Sequence, residues 1–526
     1  MKKKHIFTVL SVIMSLSLTA CSASPSKLLN DAAAPQYSMG AAPQYATADY
    51  AESLYSQGEL GIEHNTEEYS AISESGFKSP RTEPLSTFSA DVDTASYTNI
   101  RRFINNGESV PQGAVRIEEM LNYFSYDYPE PESGKAFSTS VEIGDCPWNK
   151  NTKLMKIGLQ TAKIDTSKMP PSNLVFLIDS SGSMYSADKL PLIKKAFSLV
   201  IENMNENDRI SVVTYASSND TLIDGGTIQD KDAILDILSS LEAAGSTNCS
   251  GGIEAAYQLA EKNYIEGGIN RVILATDGDL NVGITSESEL KKLVEKKRKS
   301  GVFLSVLGVG TGNIKDNKME TLADNGNGNY SYIDSVNEAK RVLIEEKGAT
   351  FFTVAKDVKF QVEFNPNTVK GYRLIGYENR ALENSDFTND SKDAGELGAG
   401  HSVTVLYELA LTGSEQEVEE YDLEFAAPSD TGSTDICKIS TRYKPIGSET
   451  SIQEDTSVPA EKLNEAVSND FYFACAVTEF GMILRDSEYK GTSTYDSVLE
   501  LAANSDNAEF RELVEKAKTL KTANSD

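Results

Sequence analysis

The chain has 526 residues, 39% of them apolar, and a formal net charge of −30 from 79 acidic and 49 basic side chains. This length exceeds what one hydrophobic core accommodates and indicates about three domains. The acidic balance argues against nucleic acids and anionic lipid surfaces as partners, and it fits either simple solubility or an affinity for cations.

The first 20 residues predict an export signal. Lysines at positions 2 to 4 precede the apolar stretch 6–18, which is too short for a mature membrane anchor. The signal ends in Leu18-Thr19-Ala20-Cys21, which resembles the bacterial lipobox. That resemblance implies cleavage before Cys21 and a diacylglycerol on its sulfur, whereas an ordinary signal peptide with a chance cysteine is the alternative. We therefore expect the protein at the extracytoplasmic face of a bacterial cell membrane, held by a lipid anchor only.

Residues 21–83 read as a flexible tether. Alanine, serine, glutamine, tyrosine and glutamate dominate, and the pentapeptide AAPQY occurs twice, at 33–37 and 41–45. Such a segment lacks the apolar density that folding requires. Random-coil scaling places the folded body on the order of 40 Å from the membrane.

Residues 84–170 predict an N-terminal helical and β segment. A short strand leads into a helix capped by Thr94 or Ser96, and a second helix is expected from Ala114 to Phe124. Beyond a break rich in proline, residues 136–143 and 153–159 alternate as strands do.

Residues 171–348 alternate strands with helices of 10–15 residues. The apolar run 174–179 ends in a polar loop, which is typical of a strand buried on both faces. Such an alternation predicts an α/β fold with a doubly wound, mostly parallel sheet and flanking helices.

Period-two patterns with intervening turn residues return in residues 349–457, which predicts a β-rich, sandwich-like module. The strands at 136–159 are expected to join it, so the α/β domain would be inserted into this module. Residues 458–526 predict a helical C-terminal region, with a long helix from Ala460 to Leu484 and two shorter ones.

A set of oxygen side chains follows the predicted strand ends of the α/β domain. Asp179, Ser181 and Ser183 alternate in the loop after the first strand, Thr247 lies in a loop ahead of a helix, and Asp277 closes a later strand. Ligands of open parallel sheets bind at the carboxyl ends of the strands. Two carboxylates and three hydroxyls favour Mg²⁺, with Mn²⁺ or Ca²⁺ as alternatives, over zinc or copper.

The segments DSSGSM, GSTN and ATDGDLNVG resemble the metal-ion-dependent adhesion site of von Willebrand factor A domains. The resemblance implies that Asp179, Ser181, Ser183, Thr247 and Asp277 ligate the metal directly or through water. Longer segments, among them PLSTFSADVDTASYTNIRRFINNG, GYRLIGYENRAL and AVTEFGMILRDSEYKG, resemble bacterial YfbK-type lipoproteins across most of residues 84–505.

Five further residues could have either a functional or a structural role. Asp91 and Asp93 could bind a second cation, but strand-end and helix-cap chemistry is the favoured reading. Asp279 is either a source of negative potential at the metal loop or a solvated carboxylate. Cys249 is interpreted as a small buried residue and Trp148 as a packing anchor. Apart from Cys21, the cysteines are irregularly spaced and predict neither a disulfide framework nor a zinc site: Cys146, Cys249, Cys437 and Cys475.

Histidine content argues against an enzyme. Of three histidines, His5 lies in the signal, His64 in the tether, and only His401 in a folded region. A catalytic triad would therefore have to use His401, and a zinc site built on several histidine ligands is disfavoured. We expect a non-enzymatic surface lipoprotein whose adhesion site binds a protein offering a carboxylate to the metal. The alternative is a scaffold or assembly subunit of an envelope complex, in which the metal holds one endogenous partner or is structural.

Overall fold

The computed structural model describes residues 65–279, 286–420 and 432–523, all within one unit, Glu63–Asp526. The predicted signal peptide, Cys21 and residues 21–64 of the predicted tether lie outside the described residues. No helix among those described is long and apolar enough to cross a membrane.

A six-stranded sheet forms the centre of the α/β domain. Its strand order is β6-β5-β4-β7-β8-β9, and all neighbours are parallel except β6, which pairs antiparallel with β5 at the edge. This order confirms the predicted doubly wound, mostly parallel sheet. The strands are β4 (Ser172–Asp179), β5 (Arg209–Tyr215), β6 (Asn219–Gly226), β7 (Ile269–Thr276), β8 (Phe303–Gly308) and β9 (Tyr330–Tyr332).

Helices cover both faces of this sheet because successive strand residues point to opposite sides. Val175 and Leu177 belong to the core on one face, and Phe176 and Ile178 to the core on the other. The helices are α3 (Leu190–Glu202), α4 (Lys231–Ser240), α5 (Cys249–Lys262), α6 (Glu287–Lys297), α7 (Asp316–Asn325), α8 (Val336–Lys340) and α9 (Lys347–Phe351).

Two antiparallel sheets pack into a sandwich around a shared core. One sheet has the order β1-β10-β14-β15 with β12 also paired to β10, and the other has the order β11-β13-β3-β2. Strands β2 and β3 precede the α/β domain and β10 to β15 follow it, so the predicted insertion is confirmed. The strands are β1 (Leu85–Ser89), β2 (Phe137–Asp145), β3 (Lys153–Thr161), β10 (Thr353–Phe364), β11 (Val369–Ile375), β12 (Gly395–Gly398), β13 (Ser402–Leu411), β14 (Cys437–Pro445) and β15 (Ile452–Val458).

Helices from the two ends of the described chain share a fourth core. They are α1 (Ala95–Asn105), α2 (Ile117–Tyr123), α10 (Asn469–Arg485), α11 (Tyr495–Leu501) and α12 (Ala508–Ala523). The C-terminal region is therefore not a separate appendage: Phe473 of α10 and Phe510 of α12 both pack edge-on against Phe124.

The predicted starts of two helices differ from the observed ones. The expected helix from Ala114 is a 3₁₀ turn at Gln112–Ala114 followed by α2, and the expected helix from Ala460 is a 3₁₀ turn at Ala460–Asn464 followed by α10. Ser468 begins α10, because its side chain accepts a hydrogen bond from the Phe471 amide. The start of α10 is therefore set by a local hydrogen bond that apolar periodicity does not reveal.

The last residues of the predicted tether pack on the body. The Thr66 amide donates to the Gly312 carbonyl at 2.7 Å, and Lys78 pairs with Tyr372 as an isolated bridge. Glu67 forms a buried ion pair with Arg102 at 3.0 Å. The folded body therefore begins near residue 65 rather than at 84, since backbone pairing and one ion pair compensate for the low apolar content here.

Asp91 and Asp93 contact an arginine instead of capping a helix or facing a free cation site. The Arg380 guanidinium lies 3.3 Å from an Asp91 oxygen and 3.0 Å from an Asp93 oxygen. It also pairs with Asp324 of α7 at 2.5 Å and Glu320 at 3.5 Å. We call these five residues the Arg380 cluster, and they connect the N-terminal segment and the β module to the α/β domain.

The buried carboxyl of Glu118, at the start of α2, is expected to make the stability of the protein depend on pH. Burial raises its pKa to about 8, and the negative charges of Glu378 and Asp91 add to this effect. The folded state therefore holds a proton that the unfolded chain releases near pH 4.5, so stability falls as pH rises between these values. We expect Glu118→Gln to raise the melting temperature by about 2–5 °C at pH 8.5 and to change it little at pH 5. Thermal unfolding at both pH values, with the exposed Glu500→Gln as control, tests this; equal gains in the two variants would contradict it.

Candidate metal centre

The two carboxylates of the predicted site lie at the ends of neighbouring strands. Asp179 is the last residue of β4, and Asp277 directly follows β7. These strands are parallel neighbours, with Ile178 opposite Ala275, so both side chains reach the same edge of the sheet. Both aspartates are fully buried.

The serine loop folds back onto Asp179. The Ser181 amide donates to Asp179 Oδ1 at 2.9 Å, and the hydroxyls of Ser181 and Ser183 are 3.1 Å apart. A 3₁₀ turn then begins at Gly182, and its last residue, Tyr185, is 83% exposed. The loop therefore presents two hydroxyls beside a buried carboxylate and an aromatic side chain beyond them.

The loop that carries Thr247 is fixed to the serine loop by its backbone. The Gly182 amide donates to the Gly245 carbonyl at 3.0 Å, and the Ala244 amide donates to the Ser180 carbonyl at 2.7 Å. Gly245 has φ +85°, a left-handed conformation that favours glycine. Thr247 is buried beside this turn, so the structure brings all five sequence-predicted residues to one edge of the sheet.

The electrostatics of the site favour an added cation. Burial raises the pKa of Asp179 to about 6, and the negative charge of Asp277 contributes to the shift. Hydrogen bonds from Ser181, whose amide donates to Asp179 Oδ1 at 2.9 Å, and from Thr276 Oγ1 to Oδ2 at 2.9 Å oppose this rise in pKa. Two buried carboxylates beside three hydroxyls fit a hard divalent cation, because such an ion would compensate the charge on Asp179, which its neutral hydrogen-bond donors leave in place.

Lys189 is a site residue that the sequence analysis missed. Its Nζ lies 3.0 Å from Asp277 Oδ2 and 2.7 Å from Asn313 Oδ1, and the Asn313 amide also donates to Asp277 at 2.9 Å. A Cβ at Gly310 would lie 2.2 Å from the lysine side chain, so glycine is required there. Only the fold brings Lys189 to Asp277, 88 residues away, so no local pattern could have found it.

Lys189 supplies one positive charge that a metal would otherwise supply. We expect Lys189→Met to bind Mg²⁺ or Mn²⁺ about tenfold more tightly, since Asp277 then lacks a counter-charge. Without metal, the same variant should melt at a lower temperature than the wild type, and saturating metal should reduce the difference. Titration of Mn²⁺ and thermal unfolding measure both effects. Lys195→Met, on the exposed face of α3, is the control, and unchanged metal affinity in the Lys189 variant would contradict the prediction.

The remaining candidates have structural roles in the described residues. The Asp279 amide donates to Asp277 Oδ1 at 3.1 Å, and the loop at 280–285 lies outside the described residues. Cys249 is buried at the start of α5, where burial raises its pKa to about 12, and the fully packed Trp148 contacts Glu408. His401 Nδ1 accepts a hydrogen bond from the Gly398 amide, and burial lowers its pKa to about 4. The interpretations of Cys249 and Trp148 are confirmed, because both side chains are buried. The four cysteines in the described residues are free and buried.

Comparison with known proteins relates these elements to described families. A model described as von Willebrand factor matches residues 63–156, one described as von Willebrand factor type A domain matches residues 173–345, and one described as uncharacterized protein YfbK, C-terminal, matches residues 349–520. The first match begins within the predicted tether, near the point where the described fold begins.

Three individual proteins are similar to this chain over different lengths. The uncharacterized protein YfbK of Escherichia coli (strain K12) is 41% identical over 471 residues, which cover 86% of this chain and 81% of that protein. Inter-alpha-trypsin inhibitor heavy chain H4 of Bos taurus is 29% identical over 154 residues, 28% of this chain and only 17% of that protein. A solved structure of von Willebrand factor type A from Catenulispora acidiphila superposes with a TM-score of 0.41 at 14% identity, covering 73% of this chain and 90% of the other.

Proposed function

The chain belongs to the YfbK family and carries a von Willebrand factor type A domain, and from this premise we propose that it binds a protein partner through a divalent cation. Asp179, Ser181, Ser183, Thr247 and Asp277 would hold the ion. The observation that carries the proposal is the placement of two fully buried carboxylates and the paired serine hydroxyls at one sheet edge, where backbone hydrogen bonds join the loop that carries Thr247 to the serine loop.

We propose Mg²⁺ as the resident ion, with Mn²⁺ or Ca²⁺ as substitutes, because every side-chain donor is oxygen. The bound ion would supply a Lewis-acidic position for an anionic oxygen of the partner, such as an aspartate or glutamate carboxylate. Asp179 stays oriented through its bonds to the Ser181 amide and Thr276. Lys189 and Asn313 hold Asp277 in the same way.

Tyr185 extends this site toward the partner. It follows the serine loop directly and is 83% exposed, whereas its neighbour Met184 is buried and fixes the turn. Exposed aromatic side chains at the edge of a polar centre are frequent anchors of protein interfaces. The partner surface would therefore combine a carboxylate with an adjacent apolar area.

We propose binding rather than catalysis. In the described residues the candidate general base His401 is half-buried and accepts a backbone hydrogen bond from Gly398, which holds it within the β module. For location, we propose lipid anchoring through Cys21 at the extracytoplasmic face of the cell membrane, on the strength of the lipobox-like sequence.

Affinity capture with the exported part of the chain tests the proposal. We expect a protein partner to be retained in Mg²⁺ and released by EDTA. Crosslinking in intact cells then separates the two biological roles: recovery of only co-encoded envelope proteins would indicate a scaffold or assembly subunit instead of an adhesin. If EDTA lowers the melting temperature but leaves every interaction unchanged, the ion is structural and the proposal fails.

A further inference from the structure

A second group of carboxylates lies at the junction of the β module and the α/β domain. Asp357 in β10, Glu396 in β12 and Asp393 in the turn before β12 each place one oxygen within 4.8 Å of the others. Arg298, which follows α6, donates to Asp393 at 2.6 Å. The group therefore includes a direct contact between the two domains.

Glu396 is the member that forms no ion pair of its own among the described residues; the charge of Arg298 acts on it, but Arg298 is already paired with Asp393. Asp393 is paired with Arg298, and Asp357 is paired with Lys444 at 2.8 Å. Glu396 is only 8% exposed, and its Oε1 has no hydrogen-bond partner among the described residues. A buried carboxylate without a partner is costly, so this position calls for a bound cation or a proton.

The backbone at Asp357 and a cavity beside the three carboxylates are suited to a bound ligand. Asp357 has φ +52° and lies at a register shift of β10, and the Ala394 amide donates to its Oδ1 at 3.2 Å. Strained residues at β-bulges occur frequently beside functional sites. A cavity of about 480 Å³, lined by Asp393 and Glu396, borders the group and leaves room for water ligands.

We propose that Asp357, Asp393 and Glu396 bind Ca²⁺ at a second site, separate from the candidate metal centre. Three carboxylate oxygens within 4.8 Å of one another are close enough to ligate a single ion. Ca²⁺ suits this group because it accepts irregular carboxylate geometry and completes its coordination with water, whereas Mg²⁺ demands near-ideal octahedral geometry. Bound there, the ion neutralises Glu396 and fixes the turn that carries Asp393 against Arg298 of the α/β domain.

Equilibrium dialysis with radioactive Ca²⁺ tests the site in the chain carrying Asp179→Asn, which disables the first metal centre. We expect one Ca²⁺ per chain, and at least tenfold weaker binding when Glu396→Gln is added. The matched control is Glu363→Gln, an exposed position on β10, the strand that carries Asp357; Glu363 is paired with Lys438, and its variant should bind Ca²⁺ as the parent does. Absence of Ca²⁺ binding in the Asp179→Asn parent, or unchanged binding in the Glu396 variant, would overturn the proposal.

Thermal unfolding separates lost binding from lost folding. In EGTA at pH 8, Glu396→Gln should melt no lower than its parent, because it removes a buried charge that has no ion pair of its own. Ca²⁺ at 5 mM (about ten times the Kd of a weak protein site) should raise the melting temperature of the parent and not of the variant. If Glu396→Gln is stabilised while Ca²⁺ leaves the parent unchanged, Glu396 is a buried protonated acid and the proposal is wrong. Failure of the Mg²⁺-dependent capture would leave this result unaffected.

Discussion

The Asp179→Asn protein is expected to lose Mg²⁺-dependent capture of its partner, with at least a hundredfold weaker binding, while remaining folded. Asparagine keeps the size and an acceptor for the Ser181 amide, but it removes one of two negative charges that would hold the ion. Removing that charge from a fully buried site also removes the repulsion with Asp277 that raises the pKa of Asp179. In EDTA at pH 8 the variant should therefore melt at least as high as the wild type.

Binding assays with purified partner, in Mg²⁺ and in EDTA, measure this effect, and circular dichroism checks the fold. The exposed Asp232→Asn, in α4 of the same domain, is the control for charge alone. Capture by the Asp179 variant at wild-type strength would show that the partner does not depend on the metal centre.

The second large effect is expected from Arg380→Met. Arg380 faces Asp91, Asp93, Asp324 and Glu320, so its removal leaves four carboxylates without their shared counter-charge. Breaking a buried ion pair in this way costs about 3–5 kcal/mol. We therefore expect Arg380→Met to reduce the free energy of unfolding more than any of the other substitutions.

The loss should be greater at pH 8 than at pH 5. Burial already raises the pKa of Asp324 to about 6 with Arg380 present. Without the arginine, the protonated carboxyl of Asp324 is favoured further, because the positive charge that lowers this pKa is gone. At pH 5 the folded variant can take up protons in place of the lost charge; at pH 8 it cannot. Urea unfolding at both pH values measures this. Lys262→Met, which breaks an exposed pair with Asp224, should cost less than about 1 kcal/mol, and a similar cost for both variants would contradict the role of the cluster.

Local patterns sufficed to predict the α/β sheet, the insertion and the grouping of Asp179, Ser181, Ser183, Thr247 and Asp277. Strand periodicity and the rule that parallel strands end at one edge carry that information within short segments. Contacts between distant segments were not predictable in the same way. Lys189 meets Asp277 across 88 residues, and Arg380 meets Asp91 across 289.

Hydrogen bonds that composition and apolar periodicity do not reveal explain the errors at the ends of the predicted segments. Residues 66–78 have the composition of a linker, yet backbone bonds to Gly312 and Tyr372 secure them to the body. Ser468 and not Ala460 begins α10, because a single hydrogen bond decides where the helix starts.

The insertion of the α/β domain also sets an order for chain folding. Its strands and helices follow one another from Ser172 to Phe351, so this domain can form from neighbouring segments. Strand β3 must instead pair with β13, where Met155 lies opposite Tyr407, 252 residues later. Strands β3 and β13 come close to each other only once the inserted domain between them is compact, because a folded domain brings its two ends together. The α/β domain is therefore expected to fold first during synthesis or refolding, and the β module to assemble around its two ends as the slower step.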